Sequence, residues 1–369
     1  MSQIIQTLQI QNFKSIRNLS LNCERINLFI GKPNAGKSNI LEAVSLLGAG
    51  YSKGKFMEGL IRYKSLFHLF NNYDTRNTIS LLTDSMSAEL RKINEDSFQF
   101  SIQPIYVKEN AKSYSGSYEP FESFKDMYVS TYGEMDYDNP NDYDPLTPLI
   151  AQTRDLSIQP EGKVSYQKIF GHNRSPVKKY EFQQQSGRKE SHSFLTPPHG
   201  GNFYQIARSH QELREEIKDF LQPNGLELLL DEETKRVFVV QREAASLISF
   251  PLHLVPDTFQ RYIFHLAAIF SNENSVILFE EPETHSYAPY VDQLAQHILQ
   301  DERNNQYFIT THNPYFLLPI LQEERNLAVF VTWFEDYQTH CRRLSEEEIR
   351  EALNYGMGIF LNLDSLVPA

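Results

Sequence analysis

The chain has 369 residues, enough for one large domain or two ordinary ones. Hydrophobic residues make up 40% and charged residues 22%, which supports a sizeable core and excludes a disordered polyelectrolyte. The net charge of −12 excludes a uniformly basic nucleic-acid coat and leaves room only for a local basic patch. Two cysteines, Cys23 and Cys341, stand far apart in no metal-ligand spacing. They predict no disulfide framework and a reducing, cytoplasmic setting. Met1 to Gln6 lack a basic stretch leading into an apolar run, and no apolar run is long enough for a bilayer. No membrane partner is therefore expected.

In chain order, Ile4 to Gln11 alternate as a strand. Asn12-Phe13-Lys14-Ser15-Ile16-Arg17-Asn18-Leu19 then turns into a second short strand. Arg25 to Ser38 follows, an apolar strand running into Gly31-Lys32-Pro33-Asn34-Ala35-Gly36-Lys37-Ser38. This spacing is that of a nucleotide-binding P-loop. Gly31 and Gly36 let backbone wrap close to phosphate. The loop amides, with Asn34 among them, point at the anion. Lys37 reaches the outer phosphates, Ser38 offers a hydroxyl to Mg²⁺, and Asn39 opens a helix whose N-terminus also favours phosphate. ATP with Mg²⁺ is the expected ligand.

Lys55 to Asn72 carries Phe56, Leu60, Ile61, Leu66, Leu69 and Phe70 at near-helical spacing and predicts a helix. Ile79 to Leu82, Ala88 to Lys92 and Phe98 to Ile105 read as strands of an antiparallel sheet flanking the nucleotide. Lys108 to Pro145 is rich in Tyr, Ser, Asp and Asn; its Tyr132 to Pro145 stretch reads as an acidic surface loop. Gly171 to Lys179 and Gln183 to His192 are polar and partly basic. Gln211 to Leu221 reads as a helix, and Leu226 to Leu230 with Arg236 to Val240 as a hairpin. Asp257 to Phe270 and Tyr290 to Leu299 read as helices that alternate with buried strands at Ser275 to Phe279 and Gln306 to Thr310. That alternation predicts a parallel α/β sheet.

The strand Val276 to Phe279 ends in Glu280-Glu281-Pro282-Glu283. A P-loop ATPase needs carboxylates at such a strand end. Glu280 would complete the Mg²⁺ environment, and Glu281 would orient or deprotonate the attacking water. Strand Gln306 to Thr310 leads to His312, where the next strand of the sheet would present it beside the γ-phosphate.

Taken together, these residues resemble ABC-type ATPases of the RecF, SMC and OLD group, in their compact bacterial AAA form. Asn12 to Ile16 looks like the group's N-terminal strand turn, Gly31 to Asn39 its Walker A, Leu278 to His285 its Walker B and D-loop, and Thr311 to Pro314 its switch-histidine segment. Three features depart from the wider pattern. Glu280 stands where Asp is usual. The signature-like element Leu254 to Arg261 has no glycine, and Asp257 is read there as a helix cap. A Q-loop glutamine has only Gln152 as a candidate.

The resemblance implies an α/β P-loop NTPase of ABC-ATPase head type. A mixed sheet is expected, with a flanking antiparallel β subdomain and a helical or irregular insertion. Residues 1–107 would form the first half of the core, 108–245 the insertion, and 246–369 the second half. It implies a homodimer or higher oligomer, with no coiled coil. About fifty residues follow Asn313, which is short for a TOPRIM nuclease. Glu347, Glu348 and Asp364 do not form a two-metal set, so effector chemistry is expected from a separate protein such as a nuclease. Three functions stay open: a dimeric switch controlling that effector in anti-phage defence, a RecF-like repair ATPase binding DNA directly, and an ATP-binding regulator of a transporter or other partner, with little hydrolysis. Nucleic-acid contacts, if made, would fall to Arg174, Lys178, Lys179, Arg188 and Lys189.

Overall fold

A computed structural model describes residues 5–51, 55–104, 156–164, 175–184, 192–243, 246–322 and 326–367. Its strands are β1 (Thr7–Phe13), β2 (Ile16–Asn22), β3 (Ile26–Gly31), β4 (Ile79–Thr83), β5 (Met86–Asn94), β6 (Ser97–Pro104), β7 (Leu156–Ile158), β8 (Val177–Tyr180), β9 (Leu226–Asp231), β10 (Arg236–Glu243), β11 (Ser246–Pro251), β12 (Val276–Glu280), β13 (Gln306–Thr310), β14 (Leu327–Glu335) and β15 (Gln338–Arg343). Its helices are α1 (Lys37–Ser45), α2 (Phe203–Ser209), α3 (Gln211–Leu221), α4 (Asp257–Ser271), α5 (Ala288–Leu299), α6 (Pro314–Leu321) and α7 (Glu346–Tyr355).

The central sheet runs β15-β14-β3-β13-β12-β8, all neighbours parallel except the β14/β15 hairpin. Its inner strands are buried on both faces, so they read as unbroken apolar runs rather than alternations. The two faces sort by parity. Leu28, Ile30, Ile277, Phe279, Ile309, Val329 and Val331 join one core with α2 to α7; Phe29, Leu278, Phe308, Ala328 and Phe330 join another with α1 and the antiparallel sheet β2-β1-β4-β5-β6-β7. Phe29 is stacked between Phe330 at 5.0 Å and Phe308 at 6.3 Å, tying three strands together on the α1 face. A third, three-stranded antiparallel sheet runs β11-β10-β9.

Two expectations need correction. Residues 55–72 form turns and two short 3₁₀ segments, Leu66–Leu69 and Asn71–Tyr73, not a helix. Met57, Gly59 and Asn72 take positive φ, which no continuous α-helix allows. The apolar residues of that stretch are buried all the same, as an irregular cover on the α1-side core. The polar, basic reading of Gly171 to Lys179 fails at Val177–Tyr180, which is a fully buried strand pairing in parallel with β12. The middle region thus supplies a strand to the core sheet. The acidic loop Tyr132 to Pro145 and the candidates Gln152, Arg174, Arg188 and Lys189 lie outside the described residues. Among the described residues, no helix is long and apolar enough to cross a membrane.

Candidate functional site

The parallel order brings four strand ends to one edge: Gly31 from β3, Thr310 from β13, Glu280 from β12 and Tyr180 from β8. In a parallel sheet this carboxyl edge is where ligands bind. The loop after β3 is closely fitted there. A Cβ on Gly31 would lie 2.2 Å from the Thr332 carbonyl oxygen, and one on Gly36 would lie 1.9 Å from Thr339 Oγ1. Gly36 also holds φ +95°, and Asn34 holds φ 63°. These positions wrap the backbone around the mouth of α1. Asn39 donates through Nδ2 to Ser15 Oγ at 2.6 Å, anchoring the β1–β2 turn to α1.

Lys37 is buried and donates through Nζ to the carbonyls of Gly31 and Lys32, both at 2.9 Å. Burial pushes its pKa down to about 8, opposed by the nearby Glu281 charge. The Ser38 hydroxyl donates to the Glu280 carboxylate, so the two expected metal ligands do meet. Burial works to raise the Glu280 pKa, but Lys179, the Ser38 hydroxyl and Arg62 outweigh it, and the net shift is downward. Glu280 is therefore ionised at neutral pH. The hydroxyl and carboxylate are hard oxygen donors on one side of the P-loop, a set that fits Mg²⁺ carried with phosphate oxygens.

Glu281 follows β12 with φ 45°, and its N–H donates to Thr310 O at 3.0 Å. Its carboxylate Oε1 lies 3.1 Å from His312 Nε2. Burial and the Lys37 charge lower the His312 pKa while Glu281 raises it, and the net direction is down. A neutral imidazole with its proton on Nε2 satisfies that contact. Behind the pair sits Glu283, whose Oε1 accepts from Thr311 Oγ1 at 2.6 Å and from the His312 N–H at 2.9 Å. Its Oε2 is buried with no partner among the described residues. Burial pushes the Glu283 carboxyl up to about 7. Glu281 lies between two cavities. One, about 410 Å³, is walled by Arg62, Lys179, Gln183, Arg261 and Glu280; the other, about 480 Å³, by Glu283, His285, His312 and Tyr315.

The sequence did not reveal three residues of this site. Arg62 donates through Nη2 to Glu280 Oε1 at 3.0 Å and through Nε to Glu42 Oε1 at 2.8 Å. Lys179 Nζ lies 3.1 Å from Glu280 Oε2. Gln183 follows β8 and lines the first cavity together with Glu280. A strand reading of Val177–Tyr180 would have exposed Gln183 as the glutamine at a strand end; nothing local marks Arg62. Lys178 and Lys179 are 5% and 3% exposed, so neither belongs to a nucleic-acid surface. Lys178 is spent on Asn272 Oδ1 and Ser275 Oγ, each at 2.7 Å. In the signature-like element, Pro256 takes the cap position of α4, and Asp257 in the first turn pairs with Arg261 at 2.6 Å. Asp257 is thus not the cap. Its charge still favours the helix N-terminus.

Comparison with known proteins gives four findings. A family model described as "AAA domain, putative AbiEii toxin, Type IV TA system" matches residues 26–318. The uncharacterized protein MJECL10 of Methanocaldococcus jannaschii is 31% identical over 129 residues, covering 31% of this chain and 59% of that relative. The chain thus spans less than two thirds of that relative's length. An SMC head bound to the C-winged helix domain of ScpA aligns over 93% of this chain and 99% of its own, at 11% identity and TM-score 0.48. The SMC head domain from Thermotoga maritima aligns over 92% and 99%, at 10% identity and TM-score 0.40.

Proposed function

The chain belongs to that AAA domain family, as an ABC-type AAA ATPase, and from this premise we propose that it binds MgATP and hydrolyses it as a dimeric switch for a separately encoded effector. The observation that carries the catalytic reading is the convergence of Lys37, Ser38, Glu280, Glu281 and His312 on one sheet edge, with Ser38 touching Glu280 and Glu281 touching His312. Gly31, Asn34 and Gly36 shape the loop that receives the phosphates, and Lys37 contributes its charge there. Ser38 and Glu280 would hold Mg²⁺, which supplies charge neutralisation on the phosphates when bound. Glu281 takes the proton of the attacking water, the β–γ bridging oxygen leaves with ADP, and His312 orients Glu281 and contacts the transferred phosphoryl. Gln183, which follows β8 and lines the cavity with Glu280, is the candidate to contact the same phosphoryl.

The dimer reading is supported by the half-exposed catalytic pair and by Tyr287 and Tyr315, 62% and 48% exposed near the second cavity. A second copy would cover them. A switch role in anti-phage defence is consistent with the description of the family. The direct DNA-binding alternative has lost two of its five candidate contacts to the core, Lys178 and Lys179. The test is phosphate release and nucleotide binding with the full chain. Lys37→Ala should weaken MgATP binding by about 10- to 100-fold, the loss of one charge-assisted contact. Glu281→Gln should bind normally and hydrolyse at least about 100-fold more slowly. Unchanged affinity in Lys37→Ala would sink the P-loop assignment.

A further inference from the structure

Resting on the hydrolytic role given above to Glu281 and His312, we propose that Phe360 is a positioning residue for that step. Its ring walls the His312 imidazole onto Glu281, and the chain after α7 folds back to carry it there.

The His312 backbone is fixed on both sides. Its N–H donates to Glu283 Oε1 at 2.9 Å, and the next residue, Asn313, caps α6 by accepting from the Tyr315 N–H. The imidazole is held less firmly. Nε2 meets Glu281 Oε1 at 3.1 Å, but the two side chains are 33% and 39% exposed. One contact between partly exposed groups is weak and leaves the ring free to turn about its side-chain torsions. Hydrolysis needs more, because a misplacement of about 1 Å can cost about 100-fold in rate. Phe360 supplies that constraint: its ring lies against the His312 ring, with centroids 6.2 Å apart and planes inclined at 48°. An aromatic wall excludes other rotamers without competing for Nε2.

The local chain explains how a phenylalanine reaches this spot. α7 ends at Gly356, whose φ of 53° turns the chain, and two 3₁₀ turns follow, Gly356–Leu361 and Leu363–Leu366. Ile359, Leu363 and Leu366 are buried in the same core as Phe316 and Leu317 of α6, the helix that His312 leads into. Arg342 Nη2 donates to the Leu366 carbonyl at 2.7 Å and ties the far end of the segment to β15. Asp364 pairs with Lys32 at 2.6 Å. That exposed pair adds little stability. It does set the segment at the start of the P-loop, where the Lys32 carbonyl also accepts from Lys37 Nζ. One anchored segment thus touches both the P-loop and the histidine. A phenylalanine that merely filled the edge of the core would change how much protein is folded; a positioning residue changes the turnover of each folded site.

The experiment measures phosphate release and calorimetric MgATP binding on the full chain, with rates expressed per ATP-binding site. The proteins are wild type, Phe360→Ala, His312→Ala and the double variant. Phe360→Ala should bind MgATP within about twofold of wild type and lose about tenfold in kcat. In the His312→Ala background the same change should cost less than about twofold, since the two side chains act as a unit. If the alanine variant does not fold, Phe360→Leu decides: it keeps the apolar cover without the flat ring and should lose about threefold in kcat. A wild-type kcat per site in the deciding variant, or an undiminished loss in the double variant, would overturn the proposal and leave the hydrolytic reading standing. An unchanged kcat in His312→Ala, or no hydrolysis by wild type, would overturn both.

Discussion

Glu283 shows how one carboxyl at the edge of the site couples protonation to stability. Its folded pKa, about 7, stands above the ordinary value of 4.5 because burial disfavours the charged form. Between those two values the folded state holds the proton more tightly than the unfolded chain. Stability contributed by the neutral carboxyl is therefore complete below 4.5 and is lost as pH rises to about 7, at up to about 1.4 kcal/mol per pH unit. Glu283→Gln keeps an acceptor for Thr311 and His312 and cannot ionise. Its melting temperature should gain on wild type as pH goes from 5 to 8; parallel curves would remove Glu283 from the account. Lys37 carries the opposite charge and the opposite consequence. With its pKa lowered to about 8 by burial, it is partly neutral in the free protein at pH 8.5. ATP binding should then take up a proton, seen as different binding heats in buffers of different ionisation enthalpy. Identical heats would show that Lys37 is already charged before nucleotide arrives.

Among the elements, the loop from β3 into α1 depends on what stands opposite it. Gly36 is held by φ +95° and by Thr339, whose Oγ1 would lie 1.9 Å from any Cβ. Gly36→Ala should abolish detectable ATP binding with little change in the far-ultraviolet circular dichroism. Adding Thr339→Ala should not restore it, because the backbone strain remains after the clash is gone. Full recovery in the double variant would assign the whole effect to the clash. Phe29, completely buried between Phe308 and Phe330, holds the three central strands on the α1 face. Phe29→Ala should cost about 3–5 kcal/mol in denaturant unfolding, the usual range for a buried aromatic. A loss under about 1 kcal/mol would mean the sheet does not depend on that stack.

At the scale of the molecule, both cavities and the Glu281–His312 pair open on the same edge of the central sheet. Glu281→Gln, which should bind ATP without hydrolysing it, is expected to accumulate as an ATP-bound dimer by light scattering, and wild type with ADP to remain smaller. A monomeric Glu281→Gln protein at saturating ATP would end the dimeric switch reading. The polar middle, about Lys108 to His192, is proposed to dock the effector or trigger, with the acidic stretch Tyr132 to Pro145 as its test. Shortening that stretch to a few Gly and Ser residues should spare ATP hydrolysis and abolish co-purification with that partner. Retention of both would move the docking surface elsewhere.

The P-loop and the Glu280-Glu281 pair were legible in the sequence because their chemistry is local. A glycine-bracketed turn must sit between strand and helix, and an apolar strand that ends in carboxylates must end at a sheet edge. The buried strands β12 and β13 were legible for a related reason, since a run apolar on both faces fits the inside of a parallel sheet. His312 was legible only given a sheet order, and the pairing of β12 with β13 brings it to Glu281. What the tertiary structure alone decided are contacts with no local signature. Arg62 reaches Glu280 across 218 residues of chain, from a segment whose apolar spacing suggested a helix. Lys179 read as part of a solvated basic run, because lysine is ordinarily exposed. It is buried here since β8 completes the sheet and Glu280 compensates its charge. Burial and pairing of a charge depend on what the rest of the chain places beside it, and a linear pattern does not contain that.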